Sequence, residues 1–593
     1  MNILKPSTTF IILLICSIFG SYCFSQNIDW LVNSGGLKSD KSSTIVIDDE
    51  GNSYITGYYN EEADFGPYNT GFSFSSSKEV FVAKLDPDGN YLWVTNALNY
   101  YDDRGLGLCL DPEGNVYVTG TCWGGLEWDG LNVYNSTSAT DQTFVTKFDN
   151  NGQIVWMKNA GVDSWATITA WWDPFQTIYC DDHGYDIISD SDGNLFVTGY
   201  ISSVDLAPTT ANFDAISIPM NYGDTLGYLA KLSNDGNWEW VKTFGGVLLY
   251  RDNAVGIDDE NNVYVAGGFK GTRTFETDVL NSNQGSLDIF VVKYDNDGNY
   301  QYVVQVGDTL DDRADGITYG NDNHMYVTGE FRGEVFFGTD DLNNYGGPDD
   351  KDIFVAKMTK DGEWAWATKA GSKKGGDRGI GICANDQGNI FVSGQFRDNA
   401  KFGLLEVHAG LDSTQFFVAM IDTNGTWQWV IDGGGPFVDR VNSVAVDNSC
   451  NLYFSGYFKE SITTGSFSLN STGNNDILVG KIVDACNAPM QPQPIPTPET
   501  EVGEEFTPSN VFSPNNDGIN DELVFANNPN VKGTVVILNR WGNVVYESDD
   551  LTKNWDGTSQ LGIDVNEGVY FYKLEYILNS VNEIKSGFVN VVR

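Results

Sequence analysis

Gly51-Asn52-Ser53-Tyr54-Ile55-Thr56-Gly57, GNSYITG, is the stretch that decides the fold, because the chain repeats it six more times. It returns as GNVYVTG (114–120), GNLFVTG (193–199), NNVYVAG (261–267), NHMYVTG (323–329), GNIFVSG (388–394) and CNLYFSG (450–456). The last glycines are separated by 63, 79, 68, 62, 65 and 62 residues. Recurrence at intervals of this size marks a repeat architecture. Before each copy runs a short alternating segment such as STIVIDD (43–49) or GIGICAN (379–385). After it come a variable loop and a second hairpin, as in VFVAKLDPDGNYLWV (80–94) and IFVAKMTKDGEWAWA (353–367). Val, Ile, Tyr and Phe in alternation, punctuated by Asp/Asn-Gly turns, predict four antiparallel strands per unit. Four-stranded units repeated about an axis make a β-propeller. A 62-residue period is long for such a unit, so long connecting loops are expected.

The fourth strand carries an aromatic anchor: Trp93, Trp156, Trp240, Tyr302, Trp366 and Trp429. That is six anchors for seven units. The seventh unit ends at DILVGKIVDAC (476–486), one strand short. The missing strand is supplied by IDWLVNSGG (28–36), where Trp30 precedes Gly35 and Gly36 as Trp240 precedes Gly245 and Gly246. Pairing of the Trp30 strand with residues 476–484 would complete the seventh unit and remove two open sheet edges. The expected fold is therefore all-β, a seven-bladed propeller over residues 26–486. These units resemble the SBBP-type β-propeller repeats of secreted bacterial proteins over about residues 27–486, a resemblance that implies the fold but no particular activity.

Two flanking regions give a cellular address. Residues 1–25 read as a secretory signal peptide, with Lys5 ahead of an apolar run from Phe10 to Phe19 that is too short to span a bilayer. No other stretch has the length and apolarity of a transmembrane segment. Residues 487–504 hold five prolines between Pro489 and Pro498 and read as an extended linker. From 505 to 593 a new pattern of alternating strands and Gly/Asn turns predicts a small Ig-like β-sandwich. It contains FSPNNDGINDELVF (512–525), VVILNRWGNVVYES (535–548), NWDGT (554–558), EGVYFYKLEY (567–576) and KSGFVNVVR (585–593). These motifs resemble the gliding-motility-associated C-terminal domain, the type B sorting domain of the type IX secretion system. The resemblance implies that secretion machinery reads this domain, and that the protein is released from or attached to the surface of a Bacteroidota-type Gram-negative cell.

Charge narrows the partners. The 593-residue chain has 34 Lys+Arg against 81 Asp+Glu, a net charge of −47. Nucleic-acid backbones need a basic face, so they are excluded as partners. Aromatics at 13% exclude a wholly disordered acidic chain. Within this acidity, cations recur in register. Lys41, Arg104, His183, Arg251, Arg313, Arg378 and Arg440 stand ten residues before each GN-type pair, six of them preceded by Asp. Lys84, Lys147, Lys231, Lys293, Lys357 and Lys481 recur on the third strand, with Met420 as the exception. The first set could form a positive ring that binds an anion; the preferred reading is structural, with each cation paired to Asp of its own or the next unit.

Other candidates are local. The longest insertion places Trp165, Trp171, Trp172, Phe175 and Tyr179 ahead of the third unit, aromatics that could stack on sugars or anchor a protein partner. DPDGN (86–90), DSDGN (190–194) and DNDGN (295–299) lack the distal Glu of a calcium loop and read as hairpin turns. Asn515, Asp517 and Asp521 are a better oxygen-rich candidate for calcium, although no cofactor is required. Disulfides are expected between Cys450 and Cys486 and between Cys122 and Cys180; Cys109 and Cys383 should pack as small apolar residues. His183, His324 and His408 have neither metal-ligand spacing nor a partner nucleophile motif. The function expected is non-enzymatic recognition or adhesion toward a glycan or protein. A polysaccharide-active hydrolase or lyase in the channel and a structural stalk or matrix protein are the alternatives.

Overall fold

The computed structural model describes residues 27–73, 77–99, 101–133, 140–162, 165–170, 173–203, 209–245, 253–409, 413–487, 511–514, 521–525, 532–540, 543–578 and 581–592. The leader expected at 1–25 and nearly all of the linker lie outside them. The chain divides into two compact units, residues 1–491 and 492–593.

The first unit is all-β. Among the described residues it has seven antiparallel sheets with a four-stranded core in sequence order. Sheets one to six span residues 41–96, 103–162, 183–245, 254–306, 313–371 and 378–433. The seventh combines Arg440–Val446, Leu452–Thr464 and Phe467–Val483 with the N-terminal strand Asn27–Ser34. That strand runs antiparallel to the third, from Asn27 opposite Val483 to Ser34 opposite Ile477. Trp30 therefore occupies the fourth-strand place that the sequence left open.

Alternation explains the packing. Second and third strands are buried on both faces, so each sheet shares an apolar cluster with the sheet on either side. Tyr54, Val80, Leu108 and Val116 join sheets one and two; Tyr117, Val145, Ile187 and Tyr228 join two and three. The series ends with Ile45, Phe81, Tyr453 and Ile477, which join sheet seven to sheet one. First strands pack side by side in the same order, and that of sheet seven packs against that of sheet one. There Asn442 Nδ2 donates to the Ser42 carbonyl at 2.7 Å, and Ser42 Oγ donates to Ser455 Oγ at 3.0 Å.

The long period has a structural origin that the sequence reading took for loops. Between second and third strands lies an extra hairpin, and three of these hairpins pair with the fourth strand of the preceding sheet. Thr209–Phe213 joins Ile154–Val162 through Gly161 and Asn212. Thr272–Phe275 joins Trp238–Gly245, and Asn399–Phe402 joins Trp364–Gly371. Backbone hydrogen bonds thus run from one repeat into the one before it.

In the second unit, Gly568–Leu578 pairs with Val581–Val591 and with Lys532–Leu538; Val544–Ser548 and the parallel Val511–Phe512 complete a five-stranded sheet. Phe512, Leu523, Val535, Trp555, Leu574 and Val589 form its core. The covering layer is irregular chain held by a bridge between Leu523 and Trp555.

Candidate functional site

The repeat residues interlock neighbouring sheets. Each fourth-strand aromatic donates to a backbone carbonyl at the end of the third strand of the next sheet: Trp93 to Asn150 at 3.2 Å, Trp156 to Asn234 at 3.0 Å, Tyr302 to Lys360 at 3.0 Å and Trp366 to Thr423 at 2.9 Å. Trp429 donates to Ala485 and Trp30 to Pro87 of sheet one, so the N-terminal strand makes the same bond as the rest. The turn glycine lies flat on the ring. At Gly152, with φ +78°, a Cβ would come within 2.9 Å of the Trp93 indole. Glycine is required there by the conformation and by the contact.

The third-strand lysines belong to the same lock. Lys84 lies 4.8 Å from the Tyr54 ring centroid and 3.5 Å from Asp48, and reaches Asn150 of sheet two. Lys147 repeats this with Tyr117, Asp111 and Asn234, and Lys481 with Tyr453 and Pro87. Met420 replaces the lysine in sheet six, within the apolar cluster between sheets six and seven.

The six described cations of the first register are engaged within the fold. Arg378 donates from Nε and Nη2 to both oxygens of Asp315, at 2.7 and 2.6 Å, and Arg313 lies 3.0 Å from the same carboxylate. Asp315 is the unpaired residue of a β-bulge between Ala314 and Gly316, which turns its carboxylate out of the alternation. Lys41 sits 3.8 Å from the Tyr457 ring. Burial pushes the Tyr457 hydroxyl up, but Arg440 and Lys41 outweigh it and hold the group below its ordinary value. Arg104 lies 3.4 Å from Asp102. Arg251 falls outside the described residues. Asp315 escaped the sequence reading because the same bulge holds Ser43, Leu106, Tyr185, Ile380 and Asn442 in five other sheets, so no residue type repeats there.

The aspartates just before these cations do something the sequence did not suggest. They do not pair with the cation beside them. Asp40, Asp103, Asp182, Asp312, Asp377 and Asp439 are fully buried. Each accepts the backbone N–H of the residue twenty positions on, Asn60, Trp123, Ser202, Arg332, Arg397 and Lys459 respectively. In five of the six the second oxygen takes an N–H upstream, as Asp182 takes Val162 at 2.6 Å. Burial outweighs these bonds: Asp312 is pushed up to about 8, Asp40 and Asp377 to about 7 and Asp439 to about 6.

The junction of sheets two and three carries a different set of charges from those of sheets one and five. Asp141 begins a third strand opposite Trp123, the place that Lys78 and Lys351 hold in sheets one and five opposite Asn60 and Arg332. Facing it are Asp181 and His183, the counterparts of Asp102 and Arg104. Asp141, Asp181 and His183 each bring a donor atom within 4.8 Å of the other two. His183 Nε2 is 2.6 Å from Asp181 Oδ1, Tyr200 donates to Asp181 Oδ2 at 2.6 Å, and the imidazole stacks on the Tyr200 ring at 5.1 Å. Burial and the Asp181 charge push Asp141 up to about 7. Burial also raises Asp181, but His183 and Tyr200 together outweigh it and lower the group. Sequence order hid this trio, since residue 141 is 40 positions from residue 181.

The aromatic insertion leads into this junction. Trp165–Ala170 pairs with Asp173–Tyr179 as a hairpin, with Trp165 opposite Tyr179, and the chain reaches Asp181 two residues later. Phe175 lies in the returning strand; Trp171 and Trp172 lie outside the described residues. The expected loop is thus a two-stranded element.

Cys450 and Cys486 form a disulfide with Cα atoms 5.5 Å apart. The second expected bridge is not formed. Cys122 is buried in the cluster between sheets one and two, and Cys180 in that between two and three, so sheet two lies between the thiols. Cys109 packs in the second of these clusters and Cys383 beside that of sheets six and seven, as apolar residues. The Asp-Gly turns use their own carboxylates: Asp190 Oδ1 accepts the N–H groups of Asp192 and Asn194 at 3.0 and 2.8 Å. Asn515 and Asp517 lie outside the described residues, which include Asp521.

Residues 506–591 match the CHU_C Type IX secretion signal domain. The protein carries a type IX secretion signal, and is therefore secreted or displayed at the cell surface. No helix among the described residues is long and apolar enough to cross a membrane. An uncharacterized WD repeat-containing protein of Acanthamoeba polyphaga mimivirus is 25% identical over 73% of this chain and 31% of its own length, so the chain spans about a third of that relative. Puromycin hydrolase is similar in structure at a TM-score of 0.36 and 10% identity, over 74% of this chain and 53% of that one. The NanB sialidase of Streptococcus pneumoniae follows at 0.30 and 10%, over 77% and 70%.

Proposed function

We propose that residues 26–486 are a closed seven-bladed β-propeller of the SBBP repeat type, and that it acts as a non-enzymatic recognition or adhesion module for a glycan or protein partner. Closure is supported by seven equivalent inter-sheet aromatic bonds, the seventh from Trp240 to Asn296 at 3.3 Å, with Trp30 reaching Pro87 as Trp429 reaches Ala485. Export through the secretion machinery that reads residues 506–591 would place it outside a Bacteroidota-type cell, after loss of a signal peptide at 1–25. The Ig-like sandwich reading of that domain is supported by its five-stranded sheet and one-sided core.

The observation that carries the recognition reading is the hairpin at 165–179. Among the described residues it alone inserts ahead of a first strand. The cation register is spent on internal partners and has little left for an anion. The hydrolase alternative would look to Asp141 and Asp181, whose acidities are split. Their carboxylate oxygens lie within 4.8 Å of each other, closer than the ~5–9.5 Å that glycosidase pairs use. Calcium at Asn515, Asp517 and Asp521 remains part of the proposal and is tested by adding the ion.

A glycan and protein binding screen with the full chain, with and without calcium, tests the reading. A ligand should emerge whose binding is lost in Trp171→Ala/Trp172→Ala while the thermal transition is kept. Turnover of a polysaccharide, abolished by Asp181→Asn, would replace recognition with catalysis.

A further inference from the structure

Two successive junctions of the same design carry opposite charge. Between sheets one and two, the Lys78 ammonium donates to Asp102 at 2.6 Å, with Arg104 3.4 Å from the same oxygen. Between sheets two and three, Asp141 takes the place of Lys78, Asp181 that of Asp102, and His183 that of Arg104. The fold keeps the acid and removes both fixed cations. Two carboxylates in a half-buried place repel unless a proton or a cation lies between them. Arg104, on the first strand of sheet two, offsets only part of this at Asp141.

A second observation concerns the imidazole. His183 is 7% exposed, and its Nδ1 is buried with no hydrogen-bond partner among the described residues. Nε2 is the ring nitrogen turned to Asp181, so it is the ligand atom the imidazole offers here, while Nδ1 lies on the far side of the ring. Asp181 keeps its side chain 35% exposed, which leaves solvent access to the group.

We infer that Asp141, Asp181 and His183 form a divalent-cation site of the zinc or manganese type, in which the ion takes the electrostatic place of the Lys78 ammonium. Two carboxylates and one imidazole suit such ions, whereas calcium prefers six to eight oxygens. Around zinc the donors would sit about 3.3 Å apart, from bonds of about 2.0–2.1 Å in tetrahedral geometry. The present donor separations, all within 4.8 Å, reach this by side-chain rotation. A fourth position would face solvent. The site stands independently of the recognition reading, since it uses none of the hairpin's aromatics.

Titration of the full chain with Zn2+, Mn2+, Co2+ and Ca2+ tests the site. One equivalent of Zn2+ or Mn2+ should raise the thermal midpoint, and Co2+ should give a visible ligand-field spectrum with nitrogen in the coordination sphere. Asp141→Lys rebuilds the Lys78–Asp102 pair; it should fold and lose the one-equivalent response. Asp141→Asn is the second variant, in case the lysine does not fit, and should bind at least about tenfold more weakly. His183→Gln should change the cobalt spectrum. The inference is overturned if no one-equivalent site is found, if binding is weak and confined to the acidic surface, or if the response persists in the folded Asp141 variants.

Discussion

Asp312 shows how much a single side chain is asked to do in this fold. Its carboxylate accepts the N–H groups of Arg332 at 3.0 Å and Asp308 at 3.1 Å, tying the end of a second strand to the loop from the preceding sheet. Burial raises it to about 8, and Asp40, Asp377 and Asp439 are raised in the same way. An acid whose folded value exceeds its unfolded one binds its proton more tightly when folded. Its stabilisation is fully present below about pH 4 and is lost as pH rises through about 6 to 8. Thermal midpoints should therefore fall between pH 5 and pH 9 in low salt, and Asp312→Asn should flatten the slope; an unchanged slope would assign the effect to other groups. Trp429 offers a second test. It is fully buried and donates to Ala485 at 2.8 Å. Trp429→Ala should cost about 3–5 kcal/mol, and Trp429→Phe, which keeps most of the apolar ring, only the hydrogen bond and some packing. Denaturant unfolding of both separates the contributions. The tryptophans and lysines were legible as repeat positions, but their meeting at one residue was not, because that residue belongs to the next repeat.

At the scale of elements, the N-terminal strand and the disulfide secure the same sheet. Asn27–Ser34 covers the outer edge of Phe467–Val483, which would otherwise present unpaired backbone groups. A chain lacking residues 27–34 should elute as aggregates on size exclusion, whereas the intact chain stays monodisperse. The Cys450–Cys486 bond joins the turn after Arg440–Val446 to the end of that third strand, across 36 positions. Loop-closure entropy gives it about 3–4 kcal/mol. Reduction, or Cys450→Ser, should lower the midpoint of thermal unfolding by several degrees; an unchanged midpoint would show that the seventh sheet is held without it. The sequence revealed both features through count and position. It also paired Cys122 with Cys180, which are near in chain direction but lie on opposite faces of sheet two. Cysteine spacing has no access to which face of a sheet a side chain takes, whereas burial in two different clusters settles it.

For the whole molecule, the acidity and the secretion signal point outward together. The charge of −47 should keep the chain soluble and off nucleic acid. Removal of residues 506–591 should leave it inside the outer membrane in its native host, read by surface proteolysis and fractionation; undiminished display would mean that the domain is not the export signal in use. The sequence by itself determined the repeat, its seven copies, the strand that completes the last, the Cys450–Cys486 bond and the C-terminal module. These depend on local alternation and turn chemistry, which each repeat carries within itself. Tertiary structure alone decided how the charges are used. It buried the aspartates on backbone amides, drew Arg313 and Arg378 onto the bulged Asp315, and set Asp141 against Asp181 and His183. The reason is physical: a charge is priced by its burial and its neighbours, and in this fold those neighbours come from the adjacent repeat. The net charge of the chain was legible from the first count, but the grouping of Asp141, Asp181 and His183 appears only where two sheets meet.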